Sequence, residues 1–144
     1  MNEATNNSAT HNKIRVILLE DNEGMRKALS YILSVHFGDV CETKEVGLLA
    51  EAGPLVDWCQ VAIMDMKLPD GIAQHLIEGL RDNQNRIPII VISAHPEFRQ
   101  EIENMVTYWL DKPFSEQQFL SVFRNALEMA HLLDGCRTVS HKID

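Results

Sequence analysis

The sequence predicts an α/β sandwich with a parallel central sheet, and three observations predict it. Short apolar runs rich in β-branched residues recur along the chain. Stretches with apolar residues at helical spacing separate them. The three strongest runs each stop at a carboxylate or a hydroxyl, as strands buried on both faces must when they reach the edge of a sheet.

Met1 to Asn12 is rich in Asn, Thr and Ser, has no apolar period and reads as a disordered tail. Order is expected from Lys13. Ile14, Val16, Ile17, Leu18 and Leu19 form the first strand, which stops at Glu20-Asp21-Asn22. A helix follows, with Met25, Ala28 or Leu29, Ile32, and Leu33 or Val35 on its apolar face and Phe37-Gly38 at its end. Asp39 to Thr43 is a weaker strand, and Glu45 to Ala52 a short helix closed by Gly53-Pro54. Val61-Ala62-Ile63-Met64 is a strong strand ending in Asp65. Lys67-Leu68-Pro69-Asp70-Gly71 has the composition of a turn. Ile72, Leu76 and Leu80 lie four apart on a helix, and Pro88 to Ile92 is a third strong strand ending at Ser93. Pro96 fits the first turn of a helix carrying Phe98, Ile102 and Met105. Val106 to Leu110 is a fifth strand, ending near Asp111-Lys112-Pro113. Phe119, Val122 and Phe123, Ala126 and Leu127, Ala130 and Leu133 mark the last helix. Gly135 to Asp144 reads as a polar tail or a linker stub.

The 144 residues suit one domain with one core. A composition 45% apolar and 24% charged is ordinary for a globular protein. No apolar run approaches the roughly 20 residues that span a bilayer, and the N-terminus lacks the pattern of a signal peptide, so a cytoplasmic protein without membrane contact is expected. Cys41, Cys59 and Cys136 show neither a disulfide framework nor zinc-ligand spacing; the first two read as reduced thiols in or near the core. A net charge of −8 repels phosphate backbones and argues against nucleic-acid binding by this chain.

In an open parallel sheet, ligands bind beyond the carboxyl ends of the strands. That edge collects Glu20 and Asp21 from the first strand, Asp65 from the third, Ser93 from the fourth and Lys112 after the fifth. Three crowded carboxylates are tolerable around a hard cation, and Mg²⁺ suits oxygen ligands of this kind. Lys112 adds a compact positive charge able to pair with Asp65 or with a phosphoryl group on it. Asp65 held in such a site can act as a nucleophile toward phosphorus.

Four segments, Ile17-Leu18-Leu19-Glu20-Asp21-Asn22, Ile63 to Gly71, Pro88 to Ala94 and Leu110-Asp111-Lys112-Pro113-Phe114, resemble the signature segments of response regulator receiver domains, and residues 13 to 133 match in the right order. The resemblance implies a flavodoxin-like fold with strand order 2-1-3-4-5. It implies that Asp65 is the phosphoacceptor, receiving its phosphoryl group from a histidine kinase or phosphotransfer protein. Asp21 and Glu20 would hold Mg²⁺, Glu20 through water, with the backbone carbonyl of Lys67 as a further ligand. Ser93 would bond the phosphoryl group, Lys112 would be the family's lysine, Pro113 its cis-proline and Trp109 its aromatic switch. The chain would then be a switch with self-catalysed phosphotransfer and autodephosphorylation rather than a turnover enzyme, signalling to a downstream partner or output domain. A homodimer through the fourth helix, fifth strand and fifth helix is implied too.

Two features depart from the family pattern. Trp109 stands where Tyr or Phe is usual. The stretch from Ser93 to Lys112 is shorter than typical and lacks a Gly-Ala pair before the fifth strand, which predicts a short or irregular fourth helix. Simpler readings stay open: Ser93 as a cap before Pro96, Glu20 as a turn residue, Trp109 as fixed core, and Lys67 and His95 as plain exposed side chains. Trp58 is expected only to pack. At the level of function, an interaction module that keeps the fold but is never phosphorylated competes. A haloacid-dehalogenase-like phosphatase needs a second Asp two residues after the nucleophile, where this chain has Lys67. No helix-turn-helix or other output domain is expected after residue 133.

Overall fold

In the computed structural model of the chain, residues 13 to 133 are described; the two expected tails and Cys136 lie outside them. Five parallel strands form the sheet: β1 (Ile14–Leu19), β2 (Cys41–Val46), β3 (Val61–Asp65), β4 (Ile89–Ser93) and β5 (Tyr108–Asp111). Their spatial order is β2-β1-β3-β4-β5, the flavodoxin-like arrangement. Five helices connect and follow the strands: α1 (Glu23–Phe37), α2 (Leu49–Ala52), α3 (Gln74–Asp82), α4 (Arg99–Ile102) and α5 (Glu116–Met129).

Successive side chains of a strand point to opposite faces, so every buried strand feeds two cores. Val16, Leu18, Ile63, Ile90 and Ile92 face α1 and α5, where they meet Leu29, Leu33, Phe37, Phe119 and Phe123. Ile17, Leu19, Ala62, Met64 and Val91 face the other way, onto Ile77, Leu80 and Ile102 from α3 and α4. All residues of β3 and β4 are buried, which is why both runs are apolar up to their last residues, Asp65 and Ser93. Cys41 and Cys59 are buried free thiols, each pushed up to about 11 by burial. No helix among the described residues is long and apolar enough to cross a membrane.

Several boundaries differ from the sequence reading. β2 begins at Cys41 and runs on through Lys44, Glu45 and Val46, which pair with Ile17, Leu18 and Leu19; ladder pairing overrides the helical pattern expected from Glu45. α2 therefore starts only at Leu49 and passes into a 3₁₀ turn at Gly53–Leu55. Ile72 is not helical. It pairs with Lys67 in a small antiparallel hairpin whose returning strand begins at Gly71, held at φ +145, a value that favours glycine. The buried face of α3 is carried by Ile77 and Leu80. Val35 points outward from α1, 57% exposed, so Leu33 belongs to the core and Val35 does not. β5 starts two residues later than expected, because Thr107 spends its N–H on the Ile89 carbonyl (2.8 Å) and its hydroxyl oxygen on the Ile89 N–H (3.0 Å). The short fourth helix is present as expected: α4 is four residues between 3₁₀ turns at Pro96–Phe98 and Glu103–Met105.

α5 is capped reciprocally, with Ser115 Oγ accepting the Gln118 N–H (3.0 Å) and Gln118 Oε1 accepting the Ser115 N–H (2.8 Å). Phe123 locks it to the sheet and to α1, packing edge-on against Phe37 at 4.9 Å between ring centroids. Phe123→Ala should cost about 3–5 kcal/mol of folding stability through the cavity it leaves. Urea unfolding followed by circular dichroism checks this, and a loss below about 1 kcal/mol would contradict the α1–α5 packing described.

Candidate functional site

The carboxyl ends of β1, β3 and β5 deliver the charged residues to one place. Glu20 follows β1 and is fully buried; Asp65 closes β3 and is 5% exposed. Lys112 follows β5, and its ammonium donates to both, at 2.8 Å to Glu20 Oε1 and 3.0 Å to Asp65 Oδ2. Asp21 completes the group from the exposed side. Carboxylate oxygens of Glu20, Asp21 and Asp65 lie within 4.8 Å of one another. An open cleft of about 410 Å³ exposes the cluster, with Asn22, Lys67, Leu68, Pro69 and His95 along its walls.

The backbone around the acidic pair is tied down locally. Asn22 caps α1, its Oδ1 accepting the Met25 N–H at 2.8 Å, while its own N–H donates to Glu20 Oε2 at 3.0 Å. Arg26, one turn into α1, donates from Nη1 to the Glu20 carbonyl at 2.8 Å and sits 3.6 Å from Glu45. The loop after β3 is fixed from the far side by Asp70, whose carboxylate accepts the Leu49 and Ala50 N–H groups at 2.9 and 3.0 Å. Those bonds hold the Asp70 carboxyl below its ordinary range.

Ser93 ends β4, almost wholly buried, and its Oγ accepts the His95 N–H at 2.8 Å. It makes a local turn and does not cap the following helical turn, whose N-cap is His95. The Lys112 N–H donates to the Ser93 carbonyl at 2.8 Å, joining the ends of β4 and β5. The Lys112–Pro113 peptide is cis. Trp109 is half-buried on β5. Its indole N–H donates to Asp111 Oδ1 at 2.7 Å, and the Arg99 guanidinium lies 5.9 Å from its ring. Trp58 packs before β3 under the Lys44 ammonium, at 4.4 Å.

The geometry brings Glu20, Asp21, Asp65 and Lys112 together as the sequence predicts, with Lys67 on the wall and Ser93 at the adjoining strand end. Burial and the ion pair exclude the reading of Glu20 as a plain turn residue. Trp109 stands apart, facing α4. Sequence reasoning missed Asn22, Arg26, Asp70 and Asp111. Asn22 was legible as a helix cap. The other three act on partners that only the fold brings near.

Two carboxylates out of water share one ammonium, and the balance is uneven. Burial pushes the Glu20 carboxyl up, against the opposing pull of Lys112 and the Asn22 N–H. For Lys112, burial disfavours the charge, but its bonds to Glu20 and Asp65 outweigh it and the net direction is upward. The donor set is all hard oxygen with a deficit of positive charge, which fits a divalent cation of the Mg²⁺ type.

A family model described as the response regulator receiver domain matches residues 16–124. Among curated proteins, the chain is 26% identical over 128 residues to the C4-dicarboxylate transport transcriptional regulatory protein DctD of Pseudomonas aeruginosa, covering 87% of this chain and 28% of that one. It is 26% identical over 119 residues to the response regulator protein TmoT of Ectopseudomonas mendocina, covering 80% and 53%. The chain thus spans between about a quarter and a half of the length of these relatives. The solved signal receiver domain of a putative Luxo repressor protein from Vibrio parahaemolyticus shares the fold, with TM-score 0.75, 18% identity, and 85% and 95% of the two chains covered. So does a CheY-like receiver domain protein from Methanospirillum hungatei, with TM-score 0.75, 17% identity, and 83% and 97% covered.

A carboxyl raised in the folded state costs stability as pH rises through its unfolded value, because the unfolded chain ionises it more readily. In buffer without divalent cations, Glu20→Gln should therefore gain stability relative to the parent as pH rises from about 4.5 to 7. Paired thermal melts across that window check the sign; a difference that stays flat or declines means that Lys112 fully compensates Glu20.

Proposed function

The chain belongs to the response regulator receiver domain family, and on that premise we propose that it is a Mg²⁺-dependent aspartyl-phosphate switch within residues 13 to 133. In this reading Asp65 accepts the phosphoryl group, and the resulting change of conformation signals to a partner or an output domain. The observation that carries the proposal is the ammonium of Lys112 bonded at once to Asp65 and Glu20, beside a third carboxylate on Asp21.

A phosphohistidine on a histidine kinase or phosphotransfer protein is the proposed donor. An oxygen of Asp65 attacks phosphorus, the P–O bond forms as the P–N bond breaks, and the imidazole nitrogen leaves with the electron pair and takes a proton. Lys112 fixes one Asp65 oxygen before transfer and is placed to hold the phosphoryl oxygens after it. Asp21, Asp65 and Glu20 would hold Mg²⁺, with the carbonyl of Lys67 on the adjoining loop. When bound, the cation supplies charge neutralisation for the transferring group. The Ser93 hydroxyl would exchange the His95 N–H for a phosphoryl oxygen, and Trp109 would respond through the segment between them. A homodimer through α4, β5 and α5 would draw on a face whose first helix, α4, is a single turn.

Incubation with acetyl phosphate and Mg²⁺ should add one hydroxylamine-labile phosphoryl group to the parent and none to Asp65→Asn, read by intact-mass spectrometry. Equal mass shifts in both would move the acceptor elsewhere. No shift in either, with Mg²⁺ binding intact, would favour an interaction module that is never phosphorylated. Mg²⁺ binding itself should weaken at least about tenfold in Asp21→Ala, followed by amide NMR shifts.

The switch is tested in Trp58→Phe, where Trp109 is the sole tryptophan. Beryllofluoride with Mg²⁺ should change its emission, and Ser93→Ala should blunt the change. An unchanged spectrum with binding established by ¹⁹F NMR would make Trp109 fixed core.

A further inference from the structure

The opposite edge of the sheet carries an unassigned cavity of the reverse polarity. It lies before the amino ends of β4 and β5, a strand's length (roughly 15 Å) from the carboxylate cleft. Its volume is about 220 Å³, and Arg81, Arg86, Asn104, Met105, Val106 and Thr107 line it. No acidic side chain is among these six, although the chain as a whole carries a net charge of −8.

Arg81 is held rigidly. From the last turn of α3 its Nε donates to the Met105 carbonyl at 2.8 Å, and its Nη1 donates to the carbonyls of Asn85 and Ile87 at 2.8 and 2.9 Å. These three acceptors are neutral, and among the described residues neither Arg81 nor Arg86 makes an ion pair with a carboxylate. The second terminal nitrogen of Arg81, Nη2, has no protein acceptor among them either. Arg86 stands close enough that its charge, after burial, holds the Arg81 guanidinium below its ordinary pKa. Two like charges gathered at one cavity without a counter-charge are repulsive unless an anion joins them. Thr107 adds a donor: its hydroxyl oxygen already accepts the Ile89 N–H at 3.0 Å, which leaves the hydroxyl proton to give away.

We propose that this cavity binds a phosphate-bearing small molecule, its tetrahedral oxyanion held between the Arg81 and Arg86 guanidiniums with the Thr107 hydroxyl as third donor. Arg86 can offer its guanidinium fork to a pair of phosphate oxygens, while Arg81, already fixed by three carbonyls through Nε and Nη1, adds the two N–H groups of Nη2 and loses little freedom on binding. A phosphate group fills only part of the volume. Met105 and Val106 offer the remainder an apolar wall for a carbon skeleton. A bound ligand would tie the loop before β4 to the loop before β5, the two strands that end at Ser93 and Lys112. This cavity shares no lining residue with the carboxylate cleft.

The test uses the full chain, as parent and as Asp65→Asn, in EDTA-containing buffer so that phosphate does not occupy the carboxylate cleft with a metal. Inorganic phosphate and glycerol 3-phosphate are titrated at constant ionic strength against chloride, with ¹H–¹⁵N NMR as readout. Saturable shifts are expected at Arg86 and from Asn104 to Thr107, the same in both proteins, with glycerol 3-phosphate binding at least as tightly as the inorganic ion. Arg86 is exposed, so Arg86→Gln should fold normally and bind about tenfold more weakly or worse; Thr107→Val should show a smaller loss. Three results would overturn the proposal: shifts that do not saturate, equal affinity in Arg86→Gln, or a site that takes inorganic phosphate but rejects glycerol 3-phosphate.

Discussion

The Lys112 ammonium is the constraint around which the rest of the molecule is arranged. It binds carboxylates 92 and 47 residues away in sequence, at the ends of two other strands. Burying Glu20 and Asp65 without it would leave two desolvated anions facing each other, and one-sided removal of a buried partner is among the costliest changes a protein can suffer. The parallel sheet makes the meeting possible by sending every strand's carboxyl end to one edge. One cation still cannot neutralise three carboxylates. The folded chain keeps a negative excess there, aimed into an open cleft, and that excess is what a divalent cation and a transferring phosphoryl group would relieve.

The same edge connects to a lightly secured part of the fold. Ser93 gives its hydroxyl oxygen to the His95 N–H and its carbonyl to the Lys112 N–H, so any change in the Ser93 side chain acts on the start of the segment that contains α4. That segment is one helical turn between two 3₁₀ turns, and Ile102 alone among its helical residues is buried. Few buried apolar contacts mean a low cost of local rearrangement. Trp109 lies against it, held by an indole hydrogen bond to Asp111 on its own strand and by Arg99 from α4. The two restraints come from different elements, so moving α4 removes one and leaves the other. A bulky aromatic can then change partners without unfolding β5.

Much of this was legible in the sequence because buried parallel strands have a distinctive composition. The runs ending at Glu20, Asp65 and Ser93 read as interior strands, and in a parallel sheet the polar residues that stop them gather at one edge. What was illegible depends on partners distant along the chain. Glu45 and Val46 read as the start of a helix until β1 paired with them. Ile72 fitted the spacing of α3, yet the turn at Gly71 draws it into a hairpin with Lys67. Asp70 read as a turn residue, whereas its carboxylate caps α2 from across the loop. Asp111 looked like part of the Lys-Pro signature and instead anchors the Trp109 indole two positions back on the same strand.

Both edges of the sheet are polar for one reason, and the side chains gathered there give them different signs. A buried strand must return to water at each end, and the residues there inherit unpaired backbone groups. At the carboxyl edge side chains supply negative charge, and the lysine is the minority member. At the amino edge of β4 and β5, Arg81 instead satisfies three carbonyls of the loops that lead into the strands. Satisfying carbonyls demands donors, and arginine brings more donors than three carbonyls can consume. The surplus N–H groups, next to Arg86 and a hydroxyl with a free proton, leave positive potential at that edge on a chain that is otherwise acidic. Charge of opposite sign thus stands at the two ends of the same pair of strands, so ligands of opposite charge would bear on β4 and β5 from both directions.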